Sequence, residues 1–160
     1  MKKPAPRAAS IMARDPIVLT NDQIVRDAAE QMWKRGSPAA VLVDENRHTL
    51  GILSQQGLML ALLDVVHHDM PPGPLRQYLD PGMPTISERA GLLRMAELFV
   101  RKGYSVRALP VLRAERLVGI VLRRDVVHAV MEYLKGVDDV QQRVLYLSAL
   151  REMDEAPHFD

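Results

Sequence analysis

Cysteine is absent from the 160 residues, so disulfides, thiolate nucleophiles and cysteine-ligated metals are excluded. No charge sign dominates: 21 Lys and Arg face 20 Asp and Glu, a net of +1 with His neutral. Without a broad cationic field, nucleic acid is not expected as a partner. No apolar run approaches the ~18 residues of a membrane-spanning helix, so no membrane partner is expected. Met1-Lys2-Lys3-Pro4-Ala5-Pro6-Arg7 is basic, but no apolar stretch follows, which argues against a secretory signal. A cytoplasmic location is the default expectation. There is no nucleophile elbow, phosphate-binding P-loop or dinucleotide fingerprint. No catalytic residue and no enzyme activity are therefore expected.

What the chain does contain is a repetition. Ala29-Glu30-Gln31-Met32-Trp33-Lys34-Arg35-Gly36 matches Ala96-Glu97-Leu98-Phe99-Val100-Arg101-Lys102-Gly103, offset by 67 positions. Leu50-Gly51-Ile52-Leu53 matches Val118-Gly119-Ile120-Val121, offset by 68. Each copy has about 60 residues and would bury a meagre core alone, so the copies are expected to pack together. A ligand would then sit between them.

The first copy opens on a short β-prone run, Ile17-Val18-Leu19. Thr20 is expected to start a helix, with Gln23 completing a capping box. Its apolar positions are Ile24, Ala28 and Met32, beside Val25, Ala29 and Trp33. Gly36 stops it. Strands are expected at Ala39–Val43 and Leu50–Leu53, joined by the polar turn Asp44–His48. Ser54 caps the following helix. Pro71-Pro72-Gly73-Pro74 marks a linker, and Leu75–Leu79 a short helix. In the second copy Ser87 caps a helix that runs towards Gly103. Strands are expected at Ala108–Leu112 and Leu117–Leu122. Gly136 is expected to end the next helix, and a separate amphipathic helix spans roughly Asp138–Met153. The expected organisation is a flexible leader at 1–9, repeats at 10–68 and 75–136 about a linker at 69–74, and a C-terminal helix and tail at 137–160.

The order of Asp15-Pro16-Ile17-Val18, Val41-Leu42-Val43-Asp44 and Gly51-Ile52-Leu53-Ser54, echoed by Leu109-Pro110-Val111-Leu112 and Gly119-Ile120-Val121 with Asp125, resembles a CBS domain (the cystathionine-β-synthase motif). Two in tandem resemble a Bateman module. The resemblance implies an α+β fold of two βαββα units about a pseudo-twofold axis. It implies two clefts that bind adenosine-containing ligands such as AMP, ADP, ATP or S-adenosylmethionine, and a regulatory role towards an attached or partner protein.

The family's ribose signature is a Ser or Thr followed three residues later by Asp. Each copy keeps half: Ser54 with Gly57, and Leu122 with Asp125. An ionised carboxylate suits ribose because its charge-assisted bonds to hydroxyls are strong. The resemblance also implies composite clefts. Asp125 would face Ile17 and Ser37-Pro38-Ala39. Ser54 would face Thr85 and Val106-Arg107-Ala108. Arg123 and Arg124, at a helix N-terminus, and Arg107 are the candidate phosphate ligands.

Plainer readings stand beside these. Asp125 and Ser54 could serve only as helix caps, and Arg123-Arg124 could be a solvated pair. His67-His68-Asp69 lacks a further ligand at suitable spacing, so no metal is expected. A homodimer is expected from the apolar helix faces and from the helix bearing Val140, Val144, Leu147 and Leu150. The rival to a ligand sensor is a dimerising scaffold whose nucleotide sites have degenerated.

Overall fold

A computed structural model describes residues 4–68, 71–101 and 106–154. Gly103, Asp69, and the outer parts of the leader and tail lie outside them. The first repeat contains β1 (Val18–Thr20), α2 (Val25–Lys34), β2 (Ala39–Val43), β3 (Thr49–Ser54) and α3 (Gln55–His68). It is preceded by a one-turn helix, α1 (Ala8–Ile11). A 3₁₀ turn at Leu75–Tyr78 leads into the second repeat. That repeat holds β4 (Ile86–Ser87), α4 (Leu92–Arg101), β5 (Ala108–Arg113), β6 (Arg116–Leu122) and α5 (Arg123–Asp154). The fold is α+β, and the order βαββα occurs twice.

Each repeat builds a three-stranded sheet, β1-β2-β3 and β4-β5-β6, with the outer pairing parallel and then antiparallel. All five residues of β2 are buried. A strand with both faces covered reads as a continuous apolar run. Its alternation divides the labour: Ala40 and Leu42 enter the first repeat's core, while Ala39, Val41 and Val43 enter a central cluster. Ile52, Ala108, Ile120 and Leu122 complete that cluster, which joins the two sheets. Full burial of a Leu or Ile such as Leu42 or Ile52 contributes about 1.5–3 kcal/mol.

The repeats exchange their leading segments. Ala8 and Met12 lie in the second repeat's core. The Ala13 amide donates to Ile120 O (2.9 Å), and the Ile120 amide donates back to Ala13 O (3.0 Å). Ala8 N–H reaches Ala90 O, and Leu92 N–H reaches Pro6 O. In return Leu75 lies in the first repeat's core, with Tyr78 and Leu79 packed against it. The Asp80 amide donates to Ile52 O (2.9 Å). Residues 6–9 are thus docked on the second repeat, and Leu75–Asp80 packs against the first.

Three local expectations also change. Thr20 closes β1, and the helix begins at Val25. The Thr20–Gln23 bond still forms, with the Thr20 amide donating to Gln23 Oε1 (2.9 Å), but it closes a turn ahead of the helix. As a result Ile24 and Trp33 stay exposed while Val25, Ala28 and Met32 are buried. Ser87 likewise makes a turn, accepting from the Arg89 amide (3.2 Å), and α4 starts at Leu92. Finally, α5 runs unbroken through Gly136 for 32 residues. Gly36 ends α2 in a left-handed conformation (φ 55°), as expected of a helix stop, whereas Gly136 does not enter that region. A lone helical glycine costs about 1 kcal/mol against alanine, too little to break a long helix.

Two glycine substitutions test these points. A Cβ at Gly136 meets nothing within 4 Å. Gly136→Ala is expected to raise stability by up to about 1 kcal/mol in urea denaturation. A Cβ at Gly57 would approach the Tyr78 carbonyl oxygen to 2.1 Å. Gly57→Ala is expected to cost about 1–3 kcal/mol. A neutral Gly57→Ala would refute the close approach of the exchanged segment.

Candidate functional site

Both sheets end on a strand that passes directly into a helix, β3 into α3 and β6 into α5. The two junctions split one capping box between them. In the first, the Ser54 hydroxyl oxygen accepts from the Gly57 amide (3.3 Å). In the second, Asp125 Oδ2 accepts from the Leu122 amide (3.3 Å). A full box makes both bonds at one helix start, because each side chain satisfies the other residue's free N–H. The half-signatures seen in the sequence thus both work as caps.

A groove of about 720 Å³ lies between the repeats. From the first repeat Gly36, Pro38 and Gln55 line it. From the second come Arg107, Leu122, Arg123, Arg124, Val127, His128 and Met131. Among these lining residues there is no carboxylate. The arginines expected in two separate clefts therefore meet in one, at the start of a long helix whose N-terminal dipole adds to the positive field. Arg123 also donates through its guanidinium to Val106 O, which ties its side chain to the entry of β5.

The turns expected to bind an adenine edge already use much of their hydrogen-bonding capacity. Ser37 Oγ donates to Ala39 O (2.7 Å). Pro38 O accepts from the Gln55 amide (3.1 Å), and Arg107 O accepts from the Arg123 amide (3.4 Å). Ile17, Ala39, Val106 and Ala108 have buried side chains that belong to the core clusters rather than to the groove lining. Leu122 is also nearly buried, yet it edges the groove. Thr85 is exposed ahead of β4.

Asp125 borders a different cavity, of about 990 Å³. There it shares the wall with His128, Ala129, Glu132 and Tyr133 of α5 and with residues 4–7 and 9–11 of the docked N-terminal segment. Ile17, expected to face Asp125, packs in the first repeat's core. Arg124 Nε lies 3.7 Å from Asp125 Oδ1 and links the two cavities electrostatically.

Asp80 is the residue that sequence reasoning passed over. The Ser54 hydroxyl donates to its Oδ1 (2.6 Å). Its Oδ2 is enclosed and lacks a hydrogen-bond partner among the described residues. Burial pushes its carboxyl above the usual range, while the Ser54 hydrogen bond and the charge of Arg107 pull partly against that. Its only signal in the sequence was its place: Asp80 lies 67 positions after Ala13, in the repeat offset. Among the described residues no cluster of three His, Asp or Glu forms that could hold a metal ion. No helix described is long and apolar enough to cross a membrane.

Tandem βαββα repeats that share a central cluster and an interrepeat groove define a paired α+β module. The chain belongs to the CBS-domain family, whose sequence profile matches residues 8–64 and 75–132. Solved structures with the same fold include CBSX2 in complex with AMP (TM-score 0.65, 21% identity, 79% of this chain and 96% of that one). They include the CBS domain pair of MJ0100 in complex with 5′-methylthioadenosine and S-adenosyl-L-methionine (TM-score 0.68, 20% identity, 81% and 98%). The CBS-domain containing protein ATU1752 from Agrobacterium tumefaciens matches at TM-score 0.66 and 20% identity, over 81% and 96%. The A-adding tRNA nucleotidyltransferase of Aquifex aeolicus (strain VF5) is 27% identical over 129 residues, covering 81% of this chain. The chain spans only 15% of that protein's length.

The raised Asp80 carboxyl has a pH signature. A folded-state value above the unfolded one makes the stabilising contribution greatest at low pH and lost as pH rises through the folded value. Asp80→Asn keeps an acceptor for Ser54 and removes the ionisation. It is expected to be more stable than wild type at neutral pH, with the advantage vanishing below about pH 4. Urea midpoints across that range check this. An advantage that grows on acidification would show the sign to be wrong.

Proposed function

We propose that this chain is a regulatory module that binds an adenosine-containing nucleotide, of the AMP, ADP, ATP or S-adenosylmethionine class, between its repeats and passes the occupied state to a partner protein. The observation that carries this reading is the interrepeat groove, where Arg107, Arg123 and Arg124 converge on the N-terminus of α5 without a lining carboxylate. Such a site favours a phosphate or another anionic group. The complexes of CBSX2 with AMP and of MJ0100 with S-adenosyl-L-methionine support the adenosine part. Because the groove is built from both repeats, a ligand that prefers one relative orientation shifts the population towards it. In this reading the chain performs no turnover of its own and needs no cofactor.

The module acts as a homodimer in the same proposal. Trp33 is 86% exposed on α2, Val66 76% on α3, Leu93 71% and Val100 79% on α4. An apolar groove of about 480 Å³ between α4 and α5 is lined by Ala96, Phe99, Val100, Val126, Val127, Val130 and Met131, with Arg123 at its edge. Apolar surface of this extent marks an interaction face. The same observation favours the second reading, a dimerising scaffold without ligand, which the buried Leu122 in place of a hydroxyl residue also suits.

Calorimetry separates the two. AMP is expected to bind roughly 5- to 150-fold more tightly than GMP, since a buried donor–acceptor mismatch costs about 1–3 kcal/mol. Arg124→Ala is expected to weaken ATP by roughly 10- to 150-fold, the range of one charge-assisted contact. Absence of binding by any adenosine ligand would leave the scaffold. Light scattering is expected to give twice the 18.0 kDa chain mass, and Val100→Glu to shift it towards the monomer. A monomeric wild type at micromolar concentration would defeat the dimer.

A further inference from the structure

The first repeat has no carboxylate where the ribose signature would place one, and the structure shows why none fits. A side chain at position 57 would run into the Tyr78 carbonyl, 2.1 Å from a Cβ built there. The segment that blocks position 57 delivers Asp80 two residues later. Its amide is fixed to β3 through Ile52 O (2.9 Å), and its carboxylate takes the Ser54 hydroxyl hydrogen (2.6 Å). Ala13, the counterpart in the other cleft, is fixed the same way to Ile120 O (2.9 Å) but carries no polar side chain. The polar pair Ser54–Asp80 thus corresponds to the apolar pair Leu122–Ala13. The acid has changed position: in the second repeat it stands on the helix as Asp125, and in the first it arrives from the exchanged segment.

We propose that Asp80 is the acidic ligand-binding residue of the first cleft, accepting a hydroxyl of a nucleoside ribose, with Arg107 of the interrepeat groove for the ligand's anionic group. The proposal rests on the nucleotide-binding reading above. An enclosed acceptor without a donor is costly, and native structures keep few of them without a use. Oδ2 of Asp80 is such an atom. The residue as a whole is only partly buried, so rotation of its side chain can present a carboxylate oxygen to an incoming hydroxyl. Burial raises this carboxyl, and the Ser54 hydrogen bond and the charge of Arg107 pull partly against it. A carboxylate and a guanidinium complement a diol and a phosphate on one small molecule.

The test is calorimetric titration with AMP of the full chain and of Asp80→Asn, Asp80→Ser and Asp125→Asn, each checked for a cooperative thermal transition. The expected result is two sites per wild-type chain, one of them weakened tenfold or more by either Asp80 substitution and the other by Asp125→Asn. A single wild-type site lost with Asp80 also supports the proposal. Sites that all survive both Asp80 substitutions within about twofold overturn it and leave the nucleotide reading intact. Wild type that binds neither AMP, ATP nor S-adenosylmethionine overturns both.

Discussion

The reciprocal exchange of leading segments is the constraint on which the rest depends. Each core is completed by residues that precede the first strand of the other repeat: Met12 in one direction, Leu75 in the other. Neither repeat can bury its apolar face without its neighbour, so a unit of about 60 residues escapes the poor surface-to-volume ratio of its size. The same exchange carries Ala13 and Asp80 to equivalent places beside the two strand-to-helix junctions. It also forbids a side chain at position 57. Packing and candidate chemistry therefore have a common origin.

The interrepeat groove follows from the central cluster. Ala39, Val41 and Ile52 meet Ala108, Ile120 and Leu122 back to back, and this brings the ends of β3 and β6 to one side. The starts of α3 and α5 are delivered there together. Arginine at a helix start ordinarily opposes the dipole. Arg123 and Arg124 at the start of α5 are thus a local inconsistency, of the kind that natural chains keep at functional positions.

Much of this was legible from the chain alone. Strands such as Ala39–Val43 announce themselves as short apolar runs bounded by turn residues, and the repeat offset identifies their partners. Helix starts were less legible. Thr20 and Ser87 are good cap residues, but each spent its hydrogen bond on a turn, and the helices began about five residues later at Val25 and Leu92. Gly136 was read as a stop because glycine often is one, yet its neighbours propagate the helix. The site was legible in its parts and not in its grouping. Nothing in the linear order says that Arg107 and Arg124 share a groove or that Asp80 reaches Ser54, since both depend on how the repeats dock.

The length of α5 has a mechanical consequence. Its first residues, Arg123 and Arg124, wall the groove, and its axis continues for 32 residues, about 48 Å at 1.5 Å per residue. A rigid rod pivoted at its base magnifies small rotations: a tilt of about 5° carries the far end about 4 Å. Such a displacement is comparable to the width of a side chain. Val126, Ala129 and Tyr133 anchor the first turns of α5 in the second repeat's core, so a rotation of that repeat at the groove swings the far end of the rod with it.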